Sequence, residues 1–442
     1  MVNTTSAGPR RPAGLSAILA VNFVGTLGFS IVLPFLVFLV TRWGGNALVY
    51  GLMGATYSAF QLVGAPILGR WSDRVGRRRI LLLSQLGTLA SWGVFLVAFA
   101  LPETTIAEVD SRVVGTFTLS LPLVVLFLAR AADGITGGNV SVANAYLADI
   151  TDQDERSVNF GRMAVAANLG FVVGPALAGL LGGTPIGELA PVLAAFGISV
   201  VASAIIVFGL PESPRPCAMA SDPEQSAMRR TYGVDNKDCF EYTGETDYRT
   251  SDIIVLPDVK RLLLMYFLIL LGFNFFYVSF PMHAVEGLRW SVRETGAFFA
   301  VLGLLMALVQ GPVLREAATR WTEARLIVAG SVALAASFAF FGSTQTAVVY
   351  AGAASLAVGN GLMWPSLMAV LSRTVDSRYQ GAVQGLAGSL GSAASILGLV
   401  AGGLLFASFG PDTFLLATLA VAVAGMLALR VGVVRQGQPT SG

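Results

Sequence analysis

Charge is what this chain has least of. Of its 442 residues only 28 are Lys or Arg and 26 are Asp or Glu, a charged share of 12%. A water-soluble protein carries about 25%, so a globule with a charged shell is excluded. Histidine occurs once, at His283, and cysteine twice, at Cys217 and Cys239. So small a stock of ligands and nucleophiles argues against a metal centre, a disulfide framework or a clustered catalytic site. The net charge is +2, without the concentrated basic face that a nucleic-acid partner requires. No phosphate-loop sequence of the form G-x-x-x-x-G-K-S/T occurs, which removes an ATP-driven pump. Recurring alternating segments are missing as well, and with them a membrane β-barrel.

Apolar sequence is what the chain has instead. Hydrophobic residues make up 55%, and 50 residues are glycine. Twelve apolar windows run near 14–40, 48–68, 80–101, 122–148, 160–183, 191–210, 260–283, 295–314, 326–342, 347–371, 381–407 and 413–430. Most are long enough for a helix to cross hydrocarbon, which takes about 20 residues. Backbone groups must be satisfied within each span, so helices are expected. The first window follows Arg10 and Arg11 but is too long for a signal-peptide core, and it reads as an uncleaved span.

Placing the N-terminus in the cytoplasm puts 23 basic residues on cytoplasmic segments and four, Arg42, Arg112, Arg289 and Arg293, on the opposite side. Arg130 lies within a span. That bias makes both termini cytoplasmic. The expected fold is an all-α membrane protein of twelve transmembrane helices in two six-helix bundles. Residues 1–210 would form the first bundle and 259–442 the second. Residues 211–258 would be a Pro-rich cytoplasmic linker holding both cysteines as free thiols. Duplication is suggested by Asp154-Glu155-Arg156 before Gly161, matched by Asp376-Ser377-Arg378 before Gly381. Arg70-Trp71 and Arg320-Trp321 form a second, weaker match.

The loop after span two is Gly69-Arg70-Trp71-Ser72-Asp73-Arg74-Val75-Gly76-Arg77-Arg78-Arg79. On composition its five arginines could simply anchor the cytoplasmic face. The ordered pattern G-x-x-x-D-R-x-G-R-R resembles the signature loop of the major facilitator superfamily. That resemblance implies a cytoplasmic latch, built from Gly69, Asp73, Arg74, Gly76, Arg77 and Arg78, that stabilises the outward-facing state. It also implies that Asp73 approaches the span-eleven N-terminus near Gly381, where a helix dipole favours an anion. Arg77 needs a carboxylate, and Asp149 at the end of span four is the expected partner.

Span four holds Arg130 and Asp133, three residues apart and able to meet on one helix face. Counting from Pro122, Asp133 lies roughly 16 Å into the span at the helical rise. A charge near mid-membrane is costly and functional by default. Either the pair merely orients span four, or Asp133 takes and releases a proton, burial opposing its charge and Arg130 favouring it. The R-x-x-x-G core from Arg130 to Gly134 resembles the superfamily's proton-transfer motif.

Span five spaces Gly161, Gly170, Gly174-Pro175 and Gly179 in a way that resembles the antiporter motif of drug/proton exchangers, with Ala178 where that family usually has glycine. The plainer alternative is a small-residue packing interface with a proline kink. Gly134-Ile135-Thr136-Gly137, Ala145 to Thr151, Gly361 to Leu367 and Gly381 to Gly385 extend the resemblance to the tetracycline/proton antiporter branch. Where that branch commonly has Asp in the first span, this chain has Asn22.

Polar and aromatic residues within spans suggest a cavity: Asn22, Thr26, Tyr57, Gln61, Asn168, Asn274, Tyr277, Gln310, Asn360, Trp364 and Gln384. In the superfamily spans three, six, nine and twelve lie outside the cavity, and here they are mostly apolar apart from Gln85. Phe273, Phe275, Phe276, Tyr277 and Phe280 could receive a planar amphiphile or, more commonly, face lipid and neighbouring helices. His283 reads as an interface residue. The resemblance implies a monomeric, multi-pass transporter of the cell membrane with small-molecule and lipid partners, protons as coupling ion and no cofactor. The activity it implies is export of a hydrophobic or amphiphilic drug-like molecule by proton antiport and alternating access. A facilitator or proton symporter for a sugar, organic acid or siderophore is the alternative; an enzyme is not expected.

Overall fold

Helices occupy all twelve apolar windows, and local chemistry sets their ends. In the computed structural model the described residues are 14–32, 34–111, 114–137, 139–151, 155–213, 258–374 and 377–429. Most of the 211–258 linker, with Cys217 and Cys239, lies outside them. α1 (Leu15–Ser30) and α2 (Leu36–Arg42) divide the first window. The chain turns around Pro34, whose ring and missing N–H interrupt the hydrogen-bond ladder, so the single span expected over 14–40 is two helices. α3 (Ala47–Val75) is capped by Asn46, whose side chain accepts the Val49 N–H at 3.1 Å. Gly76 alone separates α3 from α4 (Arg77–Ala100), at φ +117°, which a side chain would resist.

Between α4 and α5 (Leu121–Thr136) the all-α expectation meets an exception. β1 (Thr105–Ser111) and β2 (Gly115–Ser120) form an antiparallel hairpin in a stretch rich in Thr and Val. α6 (Asn139–Ile150) completes the span begun by α5. α7 (Arg156–Gly182) and α8 (Leu189–Ala204) follow, α8 ending in a π-helical turn over Ile205–Gly209. After the linker come α9 (Val259–Glu286) and α10 (Val292–Leu308), the latter capped by reciprocal Ser291 and Glu294 bonds. A π-helical turn over Val309–Val313, containing Pro312, leads to α11 (Leu314–Arg320). α12 (Glu323–Phe341), α13 (Thr346–Arg373), α14 (Ser377–Phe409) and α15 (Thr413–Ala428) end the chain's described part. Among the described residues, nine helical stretches are long and apolar enough to cross a membrane.

The helices after the linker close around a core of rings. Phe276, Phe280, Phe298, Phe338, Phe341 and Phe414 are fully buried, and Phe280 stacks on Phe298 at 4.2 Å. His283, also buried, donates from Nε2 to the Ser343 carbonyl at 3.0 Å and packs edge-on to Phe414, an interface role. Contacts between the earlier and later helices concentrate at the hairpin end. A side chain at Gly51 would strike the Leu399 carbonyl, one at Gly403 the Ala47 backbone, and one at Gly182 the Val292 side chain. Toward the opposite end, which carries Gly69–Arg79, the glycines Gly69, Gly161, Gly311 and Gly388 face open space. Gly187 and Gly410, at the hairpin end, are equally open, so the close approaches at Gly51, Gly403 and Gly182 mark where the two sets of helices meet.

Candidate functional site

At the centre of the earlier helices sits the Arg130–Asp133 pair. One helical turn brings an Arg130 terminal nitrogen to 3.2 Å from Asp133 Oδ2, with both residues buried. Thr88 on α4 donates its hydroxyl to the other carboxylate oxygen at 3.0 Å. The Arg130 guanidinium lies 4.4 Å from the centre of the Tyr57 ring, where the π face attracts a cation. Among the described residues Arg130 Nε is buried without a hydrogen-bond partner. Gln61 holds Tyr57 from the next turn of α3, donating to its hydroxyl at 3.0 Å and to the Gly137 carbonyl at 3.1 Å. Close approach makes this possible: a side chain at Gly64 would fall on the Ile135 carbonyl, and one at Gly134 on Tyr57 and Phe60.

Span three belongs to this site. Ser84, Thr88 and Ser91 recur on one face of α4, and Ser84 donates to the Thr136 carbonyl. The expectation that spans three and six stay outside the cavity is corrected here, because Gln85, Thr88 and Trp92 of α4 and Ser199 of α8 line it. Sequence reasoning passed over Thr88 because a lone hydroxyl in an apolar helix commonly bonds its own backbone. The Ser84/Thr88/Ser91 spacing was the available signal.

The residues assigned to a cavity collect in two pockets that share Phe171. The first, about 280 Å³, is lined by Asp133 and by Asn22, Thr26, Tyr57 and Gln61. Asn22 also ties α1 to α7 by donating to the Met163 carbonyl at 2.9 Å. The second, about 440 Å³, collects Tyr277, Gln310, Asn360 and Trp364 with Phe273 and Phe299. Phe171 lines both. Asn274 lies outside both cavities: it donates to Ser395 Oγ at 3.2 Å and joins α9 to α14. The side chains of Asn168 and Gln384 lie outside the described residues.

In the Gly69–Arg79 segment, Arg77 Nε meets Asp149 at 3.0 Å and its terminal nitrogen donates to Ser72 Oγ at 2.7 Å. Ser213 donates to the same carboxylate at 3.3 Å. The Arg78 backbone N–H donates to Glu212 at 3.0 Å, and its guanidinium to the Ile206 and Val207 carbonyls that the π-helical turn presents. These contacts fasten α4 to α6 and to the end of span six, all within the earlier helices. Arg74 is exposed at the end of α3. The Asp73 side chain and the surroundings of Gly381, which is in the first turns of α14, lie outside what is described.

The glycines of span five serve two different surfaces. Gly170 and Gly174 press on Phe23, Leu27 and Ser30 of α1, and Ser30 donates to the Gly170 carbonyl at 2.8 Å. Gly179 instead meets Gly296 of α10, across the junction between earlier and later helices. Gly161 touches neither. Pro175, inside α7, stands between these surfaces.

A sequence profile of the Major Facilitator Superfamily matches residues 18–232 and 262–441. The chain is 30% identical over 391 residues to the tetracycline resistance protein, class C, of Escherichia coli, covering 87% of each chain. It is 23% identical over 397 residues to multidrug resistance protein 2 of Bacillus subtilis (strain 168), covering 87% of this chain and 86% of that one. The human organic anion transporter MFSD10 superposes with a TM-score of 0.62 at 22% identity, covering 94% of this chain and 99% of that structure, a likeness of fold.

Proposed function

The chain belongs to the major facilitator superfamily, and from that premise we propose that it exports a hydrophobic or amphiphilic, drug-like small molecule by proton antiport. It is a multi-pass protein of the cell membrane, in a superfamily of transporters rather than enzymes. We take it to act as a monomer of twelve spans in two six-helix bundles, residues 1–210 and 259–442, joined by the 211–258 linker with both termini cytoplasmic. In that orientation the contacts of Gly51, Gly403 and Gly182 lie toward the outer face, and we take cargo to load from the cytoplasmic side.

The observation that carries the reading is the buried Arg130–Asp133 pair in a cavity wall, in a chain whose curated relatives include tetracycline and multidrug resistance proteins. In the deprotonated form Arg130 neutralises Asp133 and Thr88 completes its hydrogen bonding. Protonation leaves Arg130 as an unpaired charge in a low-dielectric site, which favours a rearrangement that brings it water or another partner. Rocking of the bundles about the Gly179–Gly296 and Gly51–Leu399 contacts would then expose the cavity to the other side. The Arg77–Asp149 and Arg78–Glu212 contacts keep the first bundle rigid while it moves, and Gly69, Asp73, Arg74 and Gly76 are assigned to closing the cytoplasmic latch.

The test is uptake of a lipophilic dye into inverted vesicles with an acidic lumen, for wild type, Asp133→Asn and Asp133→Glu. Wild type should concentrate dye and Asp133→Asn should not, whereas Asp133→Glu should retain part of the activity. Uptake indifferent to the gradient, or an Asp133→Asn variant that still accumulates dye, would refute antiport through this residue.

A further inference from the structure

We propose that the cargo is an uncharged aromatic amphiphile seated in the second cavity, with Phe171 as the partition that links it to the ion pair. This deepens the export reading and rests on it.

The two cavities differ in chemistry as well as place. The second is the larger, about 440 Å³, within the range of small-molecule sites. Among the described residues its lining includes no Asp, Glu, Lys, Arg or His. A cation or anion moved into it would leave water without a counter-charge, which is heavily penalised. Its walls instead offer flat apolar faces from Phe273, Tyr277, Phe299 and Trp364 and the polarisable side chain of Met306. The amide of Asn360 can exchange hydrogen bonds with carbonyl or hydroxyl groups on a ring system. Trp364 is braced from behind by Tyr266, ring centres 5.1 Å apart, and Tyr277 by Phe273 at 5.0 Å. The site is thus largely preformed.

Phe171 is the wall between this site and the charged one. The residue lies midway along α7, is 40% exposed and lines both cavities. Rings connect it to the ion pair without a gap. Phe171 meets Phe29 edge-on at 6.2 Å, Phe29 meets Tyr57 at 5.6 Å, and Arg130 lies 4.4 Å from the Tyr57 ring centre. The backbone at the partition is also the place where α7 can bend. Pro175 has no N–H to give to the Phe171 carbonyl four residues earlier, so that turn lacks its hydrogen bond. Protonation of Asp133 loosens Arg130, the Tyr57 and Phe29 rings follow it, and Phe171 swings toward the cargo site and lowers its affinity. Among the described residues Arg130 on α5 and Thr88 on α4 bond the carboxylate, Tyr57 on α3 is close enough to feel its charge, and Gln85 on α4 lines the same cavity. α1 contributes the uncharged Asn22 and Thr26.

Each cavity contains a tryptophan, Trp92 in the first and Trp364 in the second, and this supplies the experiment. Purified protein in lipid nanodiscs is titrated with the neutral fluorophore N-phenylnaphthylamine, reading energy transfer from tryptophan, with permanently cationic ethidium as competitor. Trp364→Phe should remove most of the saturable signal and Trp92→Phe little of it, and ethidium should not displace the probe. By linkage, wild-type binding should tighten about fivefold or more as pH rises, the smaller end of typical couplings. Phe171→Ala and the bulkier Phe171→Leu should bind the probe with that dependence reduced or lost. Signal lost in Trp92→Phe instead, displacement by ethidium, no saturable binding, or an undiminished pH response in both Phe171 variants would overturn the proposal. Because binding needs no gradient, it is separable from export: probe bound at Trp364 without gradient-driven vesicle uptake would refute the export reading alone. Gradient-driven export indifferent to Trp364 and Phe171 would refute this inference alone.

Discussion

Thr88 is a small residue with a large claim on the site, since it gives Asp133 the one hydrogen bond that Arg130 does not. Hydrogen bonds to charged groups contribute about 1.5–3 kcal/mol, and this one is part-buried in the cavity wall. Thr88→Ala is expected to lower thermal stability by that order and to shift the pH at which transport is half-maximal. Thr88→Ser keeps the hydroxyl and should restore both. A variant that lost stability with an unmoved pH profile would reduce Thr88 to a packing residue. The contrast with Asn274 is instructive. Both are polar residues in apolar helices, yet Asn274 is spent on Ser395 and the Leu270 carbonyl, away from either cavity. Residue type alone does not separate the two cases, because the neighbour that satisfies each group comes from a distant part of the chain.

For the elements, glycine placement decides which helices can touch. The Gly179–Gly296 contact leaves no room for a side chain on either residue. Gly296→Leu should wedge α7 from α10 and bias the protein away from closure at the hairpin end. A cysteine introduced by Ala47→Cys, at a position now 2% exposed, would then react faster with a water-soluble maleimide in a background lacking Cys217 and Cys239. Unchanged labelling would place the closing contact elsewhere. The ion pairs at the other end sort by burial. Arg77 and Asp149 side chains are 11% and 17% exposed, Arg373 and Glu323 59% and 40%. Asp149→Ala strands a sheltered guanidinium and should cost up to about 3–5 kcal/mol. Glu323→Ala breaks a solvated pair and should cost about 0–1 kcal/mol. Thermal unfolding of the two variants side by side checks the ordering.

Across the whole molecule those two pairs occupy matching places: Arg77 opens span three and Asp149 closes span four, while Glu323 opens span nine and Arg373 closes span ten. The same tie recurs with its signs exchanged, which supports the duplicated design that the linker and the paired motifs suggest. Helix positions were legible in the sequence because lipid demands long apolar windows, and the Arg130–Asp133 contact because it lies within one turn. The Arg77–Asp149 pair was legible from charge balance, but the division of the cavity was not. It depends on how Phe171 of α7 meets rings from α1 and α3, a matter of helix rotation that hydropathy does not encode. The hairpin was hidden for a related reason: it is an excursion between spans, and span counting is blind to it. Its tip glycine, Gly115, lies beside Asn46 at the start of α3 and within reach of Ala407 near the end of α14. A folded binder raised against that tip would therefore recognise one geometry of the transport cycle and hold it. Such a binder would arrest the protein without reaching either cavity or competing with whatever is bound there.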